Sequence, residues 1–131
     1  LSLHLSKDLS PQFIKYLPSI KAIIGNREEE EQIQPYFSDI DLSKTRIFIT
    51  LDKDGSKEYN SEGVRTFNPI KIEFVDPLGA GDAFSAGVVY SLITGFHDPS
   101  ILGNIMGGLA TTQYGSRVKK INMDDVNHFL D

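Results

Sequence analysis

A strand-like run, Ile70–Val75, leads through Asp76-Pro77-Leu78 into Gly79-Ala80-Gly81-Asp82, directly ahead of an apolar helical stretch. Glycines at such a junction let another molecule approach the main chain closely. The first N–H groups of a helix have no partner inside it, and the helix dipole adds partial positive charge there, so the junction suits an anion such as phosphate. Asp82 stands beside that anion site, where a carboxylate can take a proton from an attacking hydroxyl. The same residues also read as a tight turn with an acidic side chain favouring a helix N-terminus. Two other phosphate motifs are excluded. The dinucleotide fingerprint needs a third glycine where Phe84 stands, and no Gly-Lys-Ser/Thr of a P-loop occurs.

The elements around this turn alternate between strand and helix. Leu1–Leu5 reads as a short strand, and Ser10-Pro11 as an N-cap with proline at the first helical position. Phe13, Ile14 and Leu17 give that helix an apolar face. Ala22-Ile23-Ile24 is a buried strand ended by Gly25; Asn26 opens a second helix with Ile33, Tyr36 and Phe37 at helical spacing. Arg46–Leu51 is a β-branched and aromatic strand, and Asp54-Gly55 turns it back through Lys57–Asn60. Val64–Phe67 and Ile70–Val75 follow as strands around Asn68-Pro69. Gly79–Thr94 is apolar nearly all round, which predicts a buried helix ending at Gly95. Asp98-Pro99 caps a helix over Ser100–Gln113, and a last short helix begins near Asn122. Alternating βα units predict an α/β fold with a mostly parallel sheet, a β-hairpin and helices on both faces.

The chain has 131 residues, enough for one domain, with 40% hydrophobic and 24% charged residues as in soluble globular proteins. No apolar run approaches the roughly 20 residues of a membrane span. A net charge of −5 and a pI near 5.1 argue against a nucleic-acid backbone as partner. The lack of cysteine excludes disulfides and thiolate metal sites and suits a reducing cytoplasm. The three histidines, His4, His97 and His128, have no metal-ligand spacing. Leu1 opens the chain inside a strand pattern, without an initiator Met, so a piece of a longer protein is expected.

GAGDAF, with Asp76 three residues before its first glycine, resembles the C-terminal signature of the ribokinase (PfkB) family of carbohydrate kinases. The resemblance covers essentially the whole chain but only the C-terminal part of the family's pattern. It implies a ribokinase-like three-layer α/β/α sandwich, with residues 1–131 as one nucleotide-binding portion and the N-terminal substrate and lid portion absent. It further implies a cytoplasmic, ATP-dependent phosphotransferase acting on a hydroxyl of a sugar or sugar acid. Asp82 would be the base, and the amides of Gly79, Ala80 and Gly81 would hold the transferring phosphoryl group. Isolated, the chain is expected to bind nucleotide weakly and not to turn over substrate; a homodimer is compatible with this picture.

Three further segments carry the resemblance. Asn26-Arg27-Glu28-Glu29 is similar to the family's Asn-x-x-Glu motif, in which Glu29 would help hold magnesium, partly through water, beside the nucleotide. Glu29 also lies four residues before Ile33, on the inward face, with its acidic neighbours expected to point elsewhere; Asn26 with Glu29 equally forms a capping box. Thr50-Leu51-Asp52-Lys53-Asp54-Gly55 resembles a Thr-Leu-Gly-x-x-Gly turn lying along the ATP phosphates, with Asp52 replacing the first glycine; a simple hairpin is the other reading. Asn104 lies 11 residues before Gly115, a spacing that resembles a family segment with an asparagine near adenine. By that match Asp76 and the carbonyls of Ala110, Gln113 and Gly115 would bind K+. Pro77 and Gln113 depart from the family's frequent threonine and arginine, and a small-residue helix packed on the sheet explains the segment as well. Two alternatives remain open: a nucleoside or vitamin kinase of the same family, and a non-catalytic nucleotide-binding or interaction module. Asp52 and Pro77 favour the module; Asp82 within an intact GAGD weighs against it.

Overall fold

The computed structural model describes residues 2–4, 11–114 and 121–130; Leu1, Leu5 and Ser10 lie outside them. Five strands, β1 (Ser2–His4), β2 (Ala22–Asn26), β3 (Arg46–Thr50), β4 (Ser56–Asn60) and β5 (Gly63–Phe67), form one sheet in that order. β1, β2 and β3 are parallel, with Ile23 beside Ile47 and Asn26 beside Thr50. β3, β4 and β5 run antiparallel. The expected parallel sheet thus supplies two of the four strand pairings, and the expected hairpin grows into a three-stranded meander.

Side chains alternate across the pleat and divide the core. Ile23, Ile47 and Ile49 pack with Phe13, Ile20, Ile33 and Ile40 on one face. That layer comes from a 3-10 helix over Pro11–Ser19, from α1 (Arg27–Ile33) and from its 3-10 continuation Gln34–Asp39. Ala22, Ile24 and Phe48 point the other way, onto Phe84 and Val88 of α2 (Ala80–Thr94). α3 (Pro99–Ala110) lies against α2, and α4 (Met123–Leu130) covers α3 through Leu102, Ile105, Leu109 and Val126. Helical layers on both sides of the sheet make the three-layer α/β/α sandwich.

Four expectations are corrected. Ile70–Val75 forms no strand: the amides of Val75 and Asp76 both donate to the Thr111 carbonyl, at 2.7 and 2.8 Å, and Ile70 packs beside α3. Its hydrogen bonds go to a helix end instead of a sheet edge. α2 is not buried all round. The sheet and α3 take one stripe, Phe84, Gly87, Val88 and Ser91, while Ile93 remains 78% exposed. α3 ends at Ala110 instead of Gln113, because the Thr111 amide turns back to the Gly108 carbonyl at 3.0 Å. Finally, Gly103 and Gly107 of α3 serve its crossing with α2, and Gly108 lies against Ile70 instead of a strand. A Cβ on Gly87 would lie 2.8 Å from the Gly103 Cα, far inside van der Waals contact.

Candidate active site

The parallel strands β2 and β3 end together at Asn26 and Thr50, at the sheet edge where open α/β folds bind ligands. Asn26 caps α1: its Oδ1 accepts from the Glu29 amide at 2.8 Å, and its own amide donates to Glu29 Oε1 at 3.0 Å. The capping box is therefore formed, and it leaves Glu29 the second carboxylate oxygen. Glu30 corrects the expectation that the acidic neighbours point away. Three residues before Ile33, it shares the inward face and is only 6% exposed, taking Lys57 Nζ at 2.7 Å and the Tyr59 hydroxyl. Burial works against the charged Lys57, but its interactions with Glu30 and Tyr59 together outweigh this and raise its pKa; burial and the bond to Glu30 also raise that of Tyr59.

β3 leaves the sheet through a short 3-10 turn, Asp52–Asp54, into Gly55. Gly55 has φ +94°, and a Cβ there would lie 1.9 Å from the Phe67 carbonyl oxygen, so only glycine fits. Asp52 adopts φ +56°, the left-handed conformation that aspartate tolerates better than most residues. Asp52, where the motif has its first glycine, thus takes a backbone conformation that glycine adopts readily.

At the other wall, Gly79 caps α2 with φ +84°, and Ala83 donates the first helical bond to its carbonyl at 3.0 Å. The three expected anion donors differ. The Ala80 amide is already bonded to the Pro77 carbonyl at 3.0 Å, whereas those of Gly79, Gly81 and Asp82 have no partner among the described residues. The open amides of this first turn therefore centre on Gly81 and Asp82. Asp82 is exposed on that turn and receives no hydrogen bond among the described residues. Asp76 Oδ1 accepts from the Leu78 amide at 3.0 Å and braces the approach.

One cavity of about 920 Å³ joins these pieces: Asn26, Thr50, Gly55, Ala80, Gly81 and Asn104 all line it. A smaller adjoining space of about 50 Å³ is walled by Asn26, Glu29 and Thr50 on one side and Gly81 and Ser85 on the other. Gly79, two residues before Gly81, and Asp82, the residue after it, are not in either lining. Ile70, Ile72 and Phe74 add an apolar wall near Asn104, whose Nδ2 donates to the Asn68 carbonyl at 2.6 Å. Asp76 is tied to the end of α3 through Thr111, which follows the buried Ala110. Gln113 stands two residues on, and Gly115 lies outside the described residues.

Sequence reasoning assigned nothing to Arg27, Lys53 or Glu58. Arg27 and Lys53 line the large cavity. Arg27 Nη2 donates to the Leu51 carbonyl at 2.8 Å and pairs with Asp54 at 2.5 Å. Once Asn26 and Thr50 are in register this meeting follows, but the register depends on the fold. Glu58 is fully buried, bonded by Arg46 and Asn60 at 2.9 Å and by the Ser100 hydroxyl at 2.6 Å. Burial pushes its carboxyl up, but the bonds from Asn60, Ser100 and Arg46 outweigh this and hold it below the ordinary range.

Layers, strand order and cavity define an α/β-sandwich protein with a cavity at the C-terminal ends of its parallel strands. Residues 5–121 match the pfkB family of carbohydrate kinases, and the chain belongs to that family. It is similar to inositol 3-kinase of Oryza sativa subsp. japonica, 30% identical over 116 residues, covering 86% of this chain and 28% of that protein. It also matches the ATP-dependent 6-phosphofructokinase of Thermoanaerobacterium thermosaccharolyticum, 38% identical over 74 residues, covering 56% of this chain and 22% of that protein. The chain therefore spans only about a quarter of the length of these relatives. Among solved structures, the ligand-free nucleoside kinase of Burkholderia thailandensis superposes with a TM-score of 0.77 at 20% identity, covering 92% of this chain and 42% of that one. Ribokinase of Thermotoga maritima gives 0.72 at 18% identity, covering 89% and 44%. These two share the fold. No helix among the described residues is long and apolar enough to cross a membrane.

Proposed function

We propose that this chain supplies the nucleotide-binding and catalytic portion of a cytoplasmic kinase that transfers a phosphoryl group from ATP to a hydroxyl of a sugar or sugar acid. The observation that carries this reading is the single cavity that joins the Asn26 and Thr50 strand ends, the Gly81 turn and Asn104. Relatives named as inositol 3-kinase, 6-phosphofructokinase and 5-dehydro-2-deoxygluconokinase support an alcohol as acceptor.

In this reading the nucleotide lies across the cavity, its base near Asn104 and the apolar wall, its phosphates toward Thr50 and Gly55. The open amides around Gly81 bind the transferring phosphoryl oxygens and stabilise the charge that builds there, with Gly79 and Ala80 shaping the bend. Asp82 accepts the proton of the acceptor hydroxyl as its oxygen attacks phosphorus. Glu29, Asn26 and Thr50 offer hard oxygen donors around the small space, a set that fits magnesium. Among the described residues no cluster of three metal-binding side chains occurs, so Glu29, water and phosphate oxygens would complete the shell. Magnesium neutralises phosphate charge when bound. Asp76, whose amide is held by the Thr111 carbonyl after α3, and the carbonyls of Ala110 and Gln113 are the candidates for K+.

A nucleoside acceptor is the second reading, favoured by a 31% match over 97 residues to aminoimidazole riboside kinase of Salmonella typhimurium. Phosphoryl transfer by the complete protein, measured with sugars, sugar acids, cyclitols and nucleosides, separates the two. Turnover of a nucleoside alone would replace the sugar reading, and no turnover with any acceptor, despite ATP binding, would favour a binding module.

A further inference from the structure

Arg27 belongs to the cavity wall, yet no motif of the chain gives it a task. It follows Asn26 directly, and its guanidinium reaches across to Leu51, the residue after Thr50. Its head is thus fixed where the two parallel strands end and where Gly81 faces Asn26 and Thr50 across the small space. Both of its contacts, to the Leu51 carbonyl and to Asp54, use the same nitrogen, Nη2. Nε and Nη1 have no partner among the described residues, so the planar fork keeps donors suited to two phosphate oxygens. The pair with Asp54 is open to solvent, with side-chain exposures of 50% and 58%, and ion pairs so exposed contribute little and exchange readily. The charged residues lining the cavity, Arg27 and Lys53 against Asp52 and Asp54, cancel. A polyanion entering there therefore meets a cation already engaged by an internal carboxylate.

We propose that Arg27 grips the polyphosphate of the bound nucleotide in exchange for Asp54, which occupies the guanidinium while the site is free. This rests on the nucleotide reading above. The Leu51 carbonyl keeps the arginine head in place during the exchange, so little ordering remains to be done when phosphate arrives.

The test uses the full chain and calorimetric or NMR titration with ATP and with adenosine. Arg27→Ala should weaken ATP binding by about ten- to a hundredfold, the range for charge-assisted hydrogen bonds. Adenosine affinity and the melting temperature should stay unchanged. Arg27→Lys, which keeps the charge without the fork, should fall between. Asp54→Asn should tighten ATP binding a few fold, because the internal competitor is gone. Equal ATP affinity in wild type and Arg27→Ala, or weaker binding in Asp54→Asn, would overturn the role of Arg27 and leave the nucleotide reading standing. A wild-type chain that binds no ATP would remove the nucleotide reading, and the arginine's role with it.

Discussion

Glu58 is fully enclosed and receives hydrogen bonds from Arg46, Asn60 and Ser100, whereas Asp82 is exposed and receives none among the described residues. The two carboxylates lie near opposite ends of α3. Ser100, at its N-terminus, is bonded to Glu58; Gly107, toward its C-terminus, lies against the turn that carries Asp82, where an added Cβ would be 3.2 Å from the Ala80 carbonyl oxygen. α3 therefore acts as a strut between a carboxylate enclosed by hydrogen bonds and one left exposed. The difference lies in surroundings and not in residue type. A buried charge must have its oxygens bonded, which fixes it. A carboxylate beside unbonded main-chain amides keeps lone pairs for a proton.

The sharpest way to break this contrast is Asp82→Asn in the complete protein. Turnover should fall by about 10²- to 10⁴-fold, the usual contribution of a positioned base, with ATP affinity nearly unchanged. Near-normal turnover would take Asp82 out of that role.

Glu58→Gln probes the other side and should lower stability by about 3 kcal/mol while leaving the fold intact, because Arg46 and Ser100 lose their shared charged acceptor. The contrast extends to pH. The folded carboxyl of Glu58 is held below its unfolded value of about 4.3, so its contribution is complete above that pH and is lost as pH falls through the folded value. Melting temperatures of wild type and variant should therefore differ most near neutrality and converge in acid. A gap that does not change with pH would show that shape, and not charge, is what Glu58 supplies.

Much of this arrangement was legible in the sequence. Asn26 and Glu29 announced their capping box, Asp54-Gly55 its turn, and GAGD the bend before α2, because each is a local feature set by a few neighbouring residues. What stayed hidden depends on distant partners. The Ile70–Val75 pattern is that of a strand, but its amides bond to the end of α3. The apolar residues of α2 do not reveal that only one stripe finds a neighbour. Glu58 and Arg27 look like ordinary charges on a hairpin and a helix start until the sheet register and the fold bring Ser100 and Leu51 to them. Ala80 is the local exception: its amide is taken by the Pro77 carbonyl three residues back, a detail of the turn's path that residue types alone do not reveal.

The strut itself can be strained at its crossing. In Gly87→Ala the new methyl would meet the Gly103 Cα at 2.8 Å. This contact and the one to the Leu102 carbonyl oxygen, at 2.9 Å, are both with backbone and cannot simply rotate away. Overpacking costs about 1–3 kcal/mol, and the better helix propensity of alanine returns about 1, for a net loss of about 1–2 kcal/mol in thermal or urea unfolding. If α3 transmits position between its ends, ATP affinity should fall in the same variant; stability lost with affinity kept would mean that the two ends are independent.

The smallest effect belongs to the partly buried carboxylate of Asp98, at the same helix start. Asp98 caps α3, accepting from the amides of Ser100 at 2.9 Å and Ile101 at 3.2 Å, and it also faces Arg65 at 3.6 Å. A cap of this kind contributes about 1 kcal/mol, whereas an ion pair with a half-exposed arginine adds little. Asp98→Ala should therefore cost about 1 kcal/mol in unfolding measurements, and Asp98→Asn, which keeps the cap and drops the charge, should melt close to wild type. Should Asp98→Asn lose as much as Asp98→Ala, the charge would be the stabilising element. The N-terminus of α3 would then be held by two carboxylates acting electrostatically, one buried and one partly exposed, instead of by one buried charge and one neutral-type cap.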